Sequence, residues 1–394
     1  MGFWQSPWIQ LLAAVATALP LGAIFWWAWH KLRLRPYPGA ALVTTAVVGT
    51  PPATNPERTV LFIGQSTLGN GTVRPFGAST KPASIWGAGP LVDELTAFLG
   101  QKKQPGWSAY AISHGAAQNW QTVLDQALAA MPVPPELVAI CAPVALQTDI
   151  GLLQAKADAL LGQDIRLSFH VPFRGVDNTP VTGDADQAAY LAKFVVLTLN
   201  LTAPRVFVYP RLWGSELGAV MARMVGQPVH WATYRVASGA VSNPGAKPVD
   251  AAGRALDIAT VRALAAARGS VLFWDSEIPG VYIGKCFPLG GVGDPLIAED
   301  LRVVDMAARR VRTRAFAKLG QGVADRQSAL DAFAADLAKP LRDMANGIDP
   351  VINPPADDAV VIERTDPNTM MLYVRVRPIG AVSDITAAIQ LITE

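Results

Sequence analysis

Gly64-Gln65-Ser66 follows an apolar run, the setting in which the nucleophilic serines of one esterase class stand. A serine nucleophile needs a histidine base, itself oriented by an acid. The histidines are His30, His114, His170 and His230, and none stands in an Asp-x-x-His arrangement near the C-terminus. A glycine-rich turn after a strand is the plainer reading of Ser66. Gly69-Asn70-Gly71 lacks the glycine spacing of a dinucleotide loop, and no Lys-Ser/Thr follows Gly290-Gly291-Val292-Gly293-Asp294 as a phosphate loop requires. Asp275 and Glu277 stand two apart in an alternating stretch, so both can face one side, but no further ligand lies nearby. His114 and Asn119 flank a helix start, where Asn119 reads as a cap. Cys141 and Cys286 make no disulfide framework, and no Cys/His cluster has zinc spacing. The expectation is no catalytic, cofactor-binding or metal residue and no cofactor.

The richest run of charge lies elsewhere. Residues 296–346 hold 16 charged residues in 51, twice the chain average of 16%. Leu301, Val304, Ala308, Val311, Ala315 and Leu319 form a helical stripe, expected to lie beneath the C-terminal strands. Arg302, Asp305, Arg309 and Arg312 follow a neighbouring face. Asp305 can pair with Arg302 or Arg309, which makes Arg302, Asp305 and Arg309 the candidate structural ion pairs. The arginine series reads as a solvated face or an inter-subunit salt-bridge set in preference to an anion site.

The elements that must position these groups alternate. Strand candidates are 59–63, 108–112, 137–140, 166–170 and 206–209, and helical patterns run over 91–99, 120–131, 150–161, 186–199 and 216–225. Continuous apolar strands alternating with helices predict an α/β body with a mainly parallel sheet and flanking helices. Residues 271–287 read as a hairpin turning at 277–280. A helix at 299–318 is followed by one from about Arg326 to Met344 that Pro340 must bend or break. Residues 358–364 and a period-two strand follow, the latter with Met370, Leu372, Val374 and Val376 on one face and Arg375 and Arg377 on the other. The last strand, 382–392, carries Ile385, Ile389 and Leu391.

The chain has 394 residues, 51% hydrophobic, which excludes global disorder. A net charge of +2, from 33 basic and 31 acidic residues, gives no basic field, so nucleic acid is not an expected partner. Met1–His30 has no Asp, Glu, Lys or Arg, and the 22 residues from Trp8 to Trp29 are almost wholly apolar, with tryptophans gathered at both ends. That run has the length of a membrane span, and Lys31, Arg33 and Arg35 after it would keep the body on the cytoplasmic side. An apolar helix packed on a partner, or an upstream extension outside the working protein, are the other readings. The expected organisation is an apolar helix at 1–35, an extended arm at 36–57 with a short strand at 42–48, an α/β domain at 58–269 and an α+β domain at 270–394.

The C-terminal third resembles contractile phage tail sheath proteins. The resemblance is carried by VLFWDSEIPGVYIGKCFPL (271–289), DPLIAEDLRVVDMAARRVRTRAFAKLG (294–320) and ADDAVVIERTDPNTMMLYVRVRPIGAVSDITAAIQLI (356–392). In that family a hairpin ending in G-V-Y leads into a long helix built around R-V-V-D-x-A-x-R, then a second helix and strands rich in V-x-V-R-P. GWSAYAISHGAAQNWQTVLDQAL (106–128) and PELVAICAPV (135–144) resemble the peripheral α/β part of such proteins, so the resemblance spans about 58–394. It implies a sheath-type C-terminal domain and a structural, non-enzymatic subunit. Such subunits stack as rings around a tail tube protein, in the virion tail, and contract without nucleotide. The membrane-like segment is foreign to the family. The inter-subunit contact candidates are Leu42, Val43, Val47, Arg375, Arg377, Ile385, Ile389 and Leu391. The alternatives are a membrane-anchored hydrolase using Ser66 and a membrane-tethered ligand-binding module of doubly wound type.

Overall fold

The computed structural model describes residues 55–69, 71–101, 103–115, 119–179, 183–275, 277–290, 297–318, 326–366 and 369–380. The expected apolar helix at 8–29, the short strand at 42–48 and the last strand at 382–392 lie outside these residues. Among the described residues, no helix is long and apolar enough to cross a membrane.

A seven-stranded sheet forms the body, in the order β2-β3-β1-β4-β5-β6-β9. Five strands run parallel in the middle: β1 (Thr59–Gln65), β3 (Ser108–His114), β4 (Leu137–Ile140), β5 (Ser168–Phe173) and β6 (Ala203–Pro210). The edges β2 (Arg74–Phe76) and β9 (Pro288–Leu289) are antiparallel. Pro75 suits β2, because an edge strand tolerates a missing N–H. The parallel strands are buried almost throughout because helices cover both faces. Alternation sorts their side chains into two cores. Leu61, Ile63, Ile112 and Val138 meet α3 (Trp120–Ala130), α4 (Gln147–Leu161), α5 (Gln187–Thr198) and α7 (Ile258–Ala266). Val60, Phe62 and Ala139 meet α1 (Pro82–Trp86), α2 (Pro90–Gly100) and α6 (Glu216–Val225). Asn119, Asp186 and Asp257 each accept a backbone N–H three residues on and so start α3, α5 and α7. A Cβ on Gly64 would stand 2.8 Å from the Cβ of Cys141, so glycine lets these segments approach.

The sheet runs past the boundary expected at 269/270. The hairpin β7 (Leu272–Trp274) and β8 (Val281–Ile283) packs Leu272 and Ile283 into the second core, and β9 joins the main sheet beside β6. Next come α8 (Ala298–Phe316), α9 (Gln327–Leu337) and α10 (Lys339–Ala345). The break at Ala338 precedes Pro340, which occupies the first turn of α10, where no N–H is required. β10 (Val360–Asp366) and β11 (Thr369–Val374) pair antiparallel, with Val360 opposite Val374. A third core joins these elements through Val303, Met306, Val311, Leu337, Leu341 and Val360.

One expectation about α8 is corrected. Its buried apolar residues are Ala298, Leu301, Val303, Met306, Ala307 and Val311, while Val304, Ala308 and Ala315 are only half-buried and Leu319 lies outside the described residues. The helix is packed on two sides, so a single-stripe reading misplaced its apolar face.

Candidate functional site

From Arg302 to Arg309 the charged face of α8 is not solvated, and only Arg312 beyond it is partly exposed. That face lies across the N-terminal ends of the parallel strands, where four arginines meet three carboxylates. Arg302 is 4% exposed and makes three contacts there. Its Nε donates to Glu136 Oε1 at 2.5 Å, Nη1 to the carbonyl of Met224 at 3.0 Å, and Nη2 to the carbonyl of Glu57 at 2.6 Å. Glu136 directly precedes β4, and Glu57 ends the chain's approach to β1. The other carboxylate oxygen of Glu136 accepts from Arg309, whose Nε also lies 3.7 Å from Glu57.

Asp305 is gripped from another strand. Arg205 of β6 donates to both its oxygens, at 2.9 and 2.8 Å, and to the carbonyl of Leu167 at 3.1 Å. Arg166 stands 3.5 Å away, and Arg312 pairs with Asp164 further along. The expected partnership of Asp305 with Arg302 or Arg309 is therefore replaced by cross-chain pairs. Residues 302, 305 and 309 share one helix face, as their spacing requires, but that face meets the sheet instead of water. Burial of ions is tolerable only when counter-charges and hydrogen bonds replace water, and the seam supplies both. Burial lifts the Glu136 carboxyl above its ordinary range, against the pull of Arg302 and Arg309. For Arg309, burial works against the charge, and the Glu136, Glu57 and Asp305 carboxylates more than offset it. The chemistry available is clamping. The first described residues and the ends of three strands are tied to one helix of the C-terminal region. Residues 55–57, expected in the extended arm, enter a 3-10 helix at Pro56–Arg58 that Asn55 caps and that is rooted in this seam.

Sequence reasoning missed Glu57, Glu136, Arg166 and Arg205. Their one visible signal is a charge at the mouth of an apolar strand, as in Pro135-Glu136-Leu137. It also missed two buried carboxyls in the α2–α6 contact. Glu94 Oε2 accepts the N–H of Gly218 at 2.7 Å, and Arg211 stands 3.7 Å from Oε1. A Cβ on Gly218 would lie 2.1 Å from the carbonyl of Glu94, so the helices meet only because that residue is glycine. Burial pushes Glu94 up to about 8 and Glu216 up to about 7.

The hydroxyl of Ser66 lies 2.7 Å from the carbonyl of Leu68 and 2.6 Å from Ser113 Oγ, so its described partners include no histidine. His170 is buried between Ser168 Oγ at 3.0 Å and the hydroxyl of Tyr209 at 2.7 Å. Burial drives it down to about 3, leaving a neutral ring that ties β5 to β6. Asp275 accepts the N–H of Glu277 and so forms the hairpin turn, and Asn119 caps α3. Arg375 and Arg377 are exposed, and Arg375 pairs with Asp358. Leu42, Val43, Val47, Ile385, Ile389 and Leu391 lie outside the described residues, as does the glycine run 291–293.

The doubly wound sheet and the helices and hairpin that follow it superpose on solved sheath proteins. The sheath protein of the anti-feeding prophage in its contracted helical state superposes with a TM-score of 0.56 at 13% identity, covering 91% of this chain and 99% of that one. The sheath tail protein of Desulfitobacterium hafniense gives a TM-score of 0.52 at 11% identity, covering 82% and 93%. A protein of Haemophilus phage HP1 that carries a tail sheath designation is 34% identical over 265 residues, 62% of this chain and 69% of the relative. The chain belongs to the DUF2586 family, matching its N-terminal domain over residues 47–287 and its C-terminal domain over 294–394.

Proposed function

We propose that this protein is a structural subunit of a contractile tail sheath, polymerising around a tail tube and contracting to drive the tube through a target envelope. The observation that carries the reading is the 34% identity to the phage protein of tail sheath designation, joined to a full-length sheath fold. The subunit acts through assembly, in the virion tail, and the seam under α8 gives it a rigid body. The chain ends supply the links between copies. A two-stranded hairpin such as β10–β11 has two edges whose backbone groups gain partners when strands are added. Ile352 bridges Pro378, so the chain leaves the described body close to that hairpin. The arm up to residue 54, with Leu42, Val43 and Val47, and the strand 382–392, with Ile385, Ile389 and Leu391, pair with neighbouring copies. Arg375, paired with Asp358, and Arg377 are exposed on the outer face for the same contact. Each added strand contributes a few net hydrogen bonds, each about 1 kcal/mol, plus apolar burial. A flexible tether of this kind survives large rigid-body motion. The apolar run 8–29 precedes both family matches and would anchor the subunit to a membrane wherever it is retained.

Deleting residues 382–394 leaves a folded monomer that forms no tubes by electron microscopy. Full-length sheaths from the truncated protein would refute strand exchange as the link.

A further inference from the structure

A cleft of about 970 Å³ opens between α7, the 230–236 segment and the β7–β8 hairpin, and its lining shares no residue with the seam or with β10–β11. Its walls are aromatic: Trp231, Tyr234, Phe273, Trp274 and Phe287 line it, all half-buried. Three of these rings carry a cation from the same surface. The guanidinium of Arg235 lies 4.0 Å from the centre of Trp231, Lys285 Nζ lies 5.8 Å from that of Tyr234, and Arg268 lies 5.6 Å from that of Phe287. Arg262 adds an exposed positive charge on α7. Asp275 is the one acid among the described lining residues. At the edge of the cleft Asp349 Oδ2 lies 3.0 Å from His230 Nε2 and 3.3 Å from Trp231 Nε1. Val236, 40% exposed, extends the apolar surface.

Half-buried aromatics beside arginine are the composition of protein contact surfaces. The charge selects the partner, because a basic cleft is matched by an acidic surface. The chain carries one of its own. Residues 326–366 hold eight acidic residues (331, 336, 343, 349, 357, 358, 363 and 366) against four basic ones (326, 339, 342 and 364). Asp357, Asp358 and Glu363 are exposed there, Asp358 paired with Arg375 and Glu363 accepting the Tyr373 hydroxyl at 3.1 Å. We infer that the aromatic cleft receives the acidic stretch 357–363 of a second copy of this chain. The two surfaces differ, so the contact is head-to-tail, and head-to-tail contacts propagate into rings or helices. The inference rests on the sheath reading and adds to it a packed, charge-selected contact distinct from strand exchange.

The test is a charge swap in the full-length protein. Arg235→Glu with Arg262→Glu changes exposed groups and loses the Arg235–Trp231 stacking, so the melting temperature falls by only a few degrees while the critical concentration for tube formation rises roughly tenfold. Adding Asp357→Lys and Glu363→Lys restores assembly to within about twofold. No change in the first variant, or a loss the second pair fails to restore, overturns the inference. A photo-crosslinker at Val236 supplies an independent readout. A cross-link to the 357–363 peptide of another copy supports the contact, and one to a different protein or region overturns it. If the parent protein forms no tubes, the sheath reading falls, while the cross-link in concentrated protein still decides this surface.

Discussion

Replacing Arg302 with alanine tests the clamp directly. The side chain is 4% exposed and serves three acceptors: the Glu136 carboxylate and the carbonyls of Met224 and Glu57. Its removal leaves Glu136, itself 1% exposed, with Arg309 as its remaining counter-charge, and strips both carbonyls of a charged donor. Breaking a buried, hydrogen-bonded ion pair on one side costs about 3–5 kcal/mol. Against a total stability of about 5–15 kcal/mol, that is a large fraction. The expected fall in melting temperature is on the order of 10 °C. Guanidinium unfolding followed by tryptophan fluorescence reads the loss. The double variant Arg302→Met, Glu136→Leu removes that pair together, leaves Arg309 with Glu57 at 3.7 Å as its counter-charge, and should recover part of the loss, about 1 kcal/mol or more. A single-variant loss below about 1 kcal/mol, the size of an exposed pair, would refute the claim that the seam is buried and coupled.

The two sides of α8 separate by substitution. Val303→Asp places a charge in the third core and prevents folding, whereas Val304→Asp, at a half-buried position, leaves a weakened but folded protein; circular dichroism of both variants decides, and equal damage would contradict the placement. Stability should also fall as pH rises from about 6.5 towards 8. Burial raises Glu94 to about 8 and Glu216 to about 7, above their unfolded values, so in this window the folded state binds more protons than the unfolded one. The depressed His170 gives the opposite slope only below its ordinary value of 6.5. Glu94→Gln, which keeps an acceptor for the Gly218 N–H, should flatten the decline in melting temperature, and an unchanged slope in that variant would count against Glu94 as its source.

The alternation of apolar strands with helices is a local property, because a strand covered on both faces must be apolar at every position and its helix needs only one apolar stripe. For that reason 59–63, 137–140 and 216–225 were legible as elements, and the turn at 277–280 and the interruption at Pro340 were legible from glycine and proline. The family resemblance was legible in 271–392 for the same reason, since its residues are consecutive in the chain. The clamp was not. The spacing of Arg302, Asp305 and Arg309 fixes that they share a helix face but says nothing of what the face meets. Their partners Glu136 and Arg205 stand 166 and 100 residues away, and become neighbours only when the sheet aligns the starts of its strands. A charged face bordering water and a charged face bordering counter-charges read alike in sequence, because both satisfy the same need to keep ions solvated or paired. Which of the two holds was decided by tertiary packing, as was the choice of Val303 over Val304 for the core, because a helix enclosed on two sides has no single polar face to read.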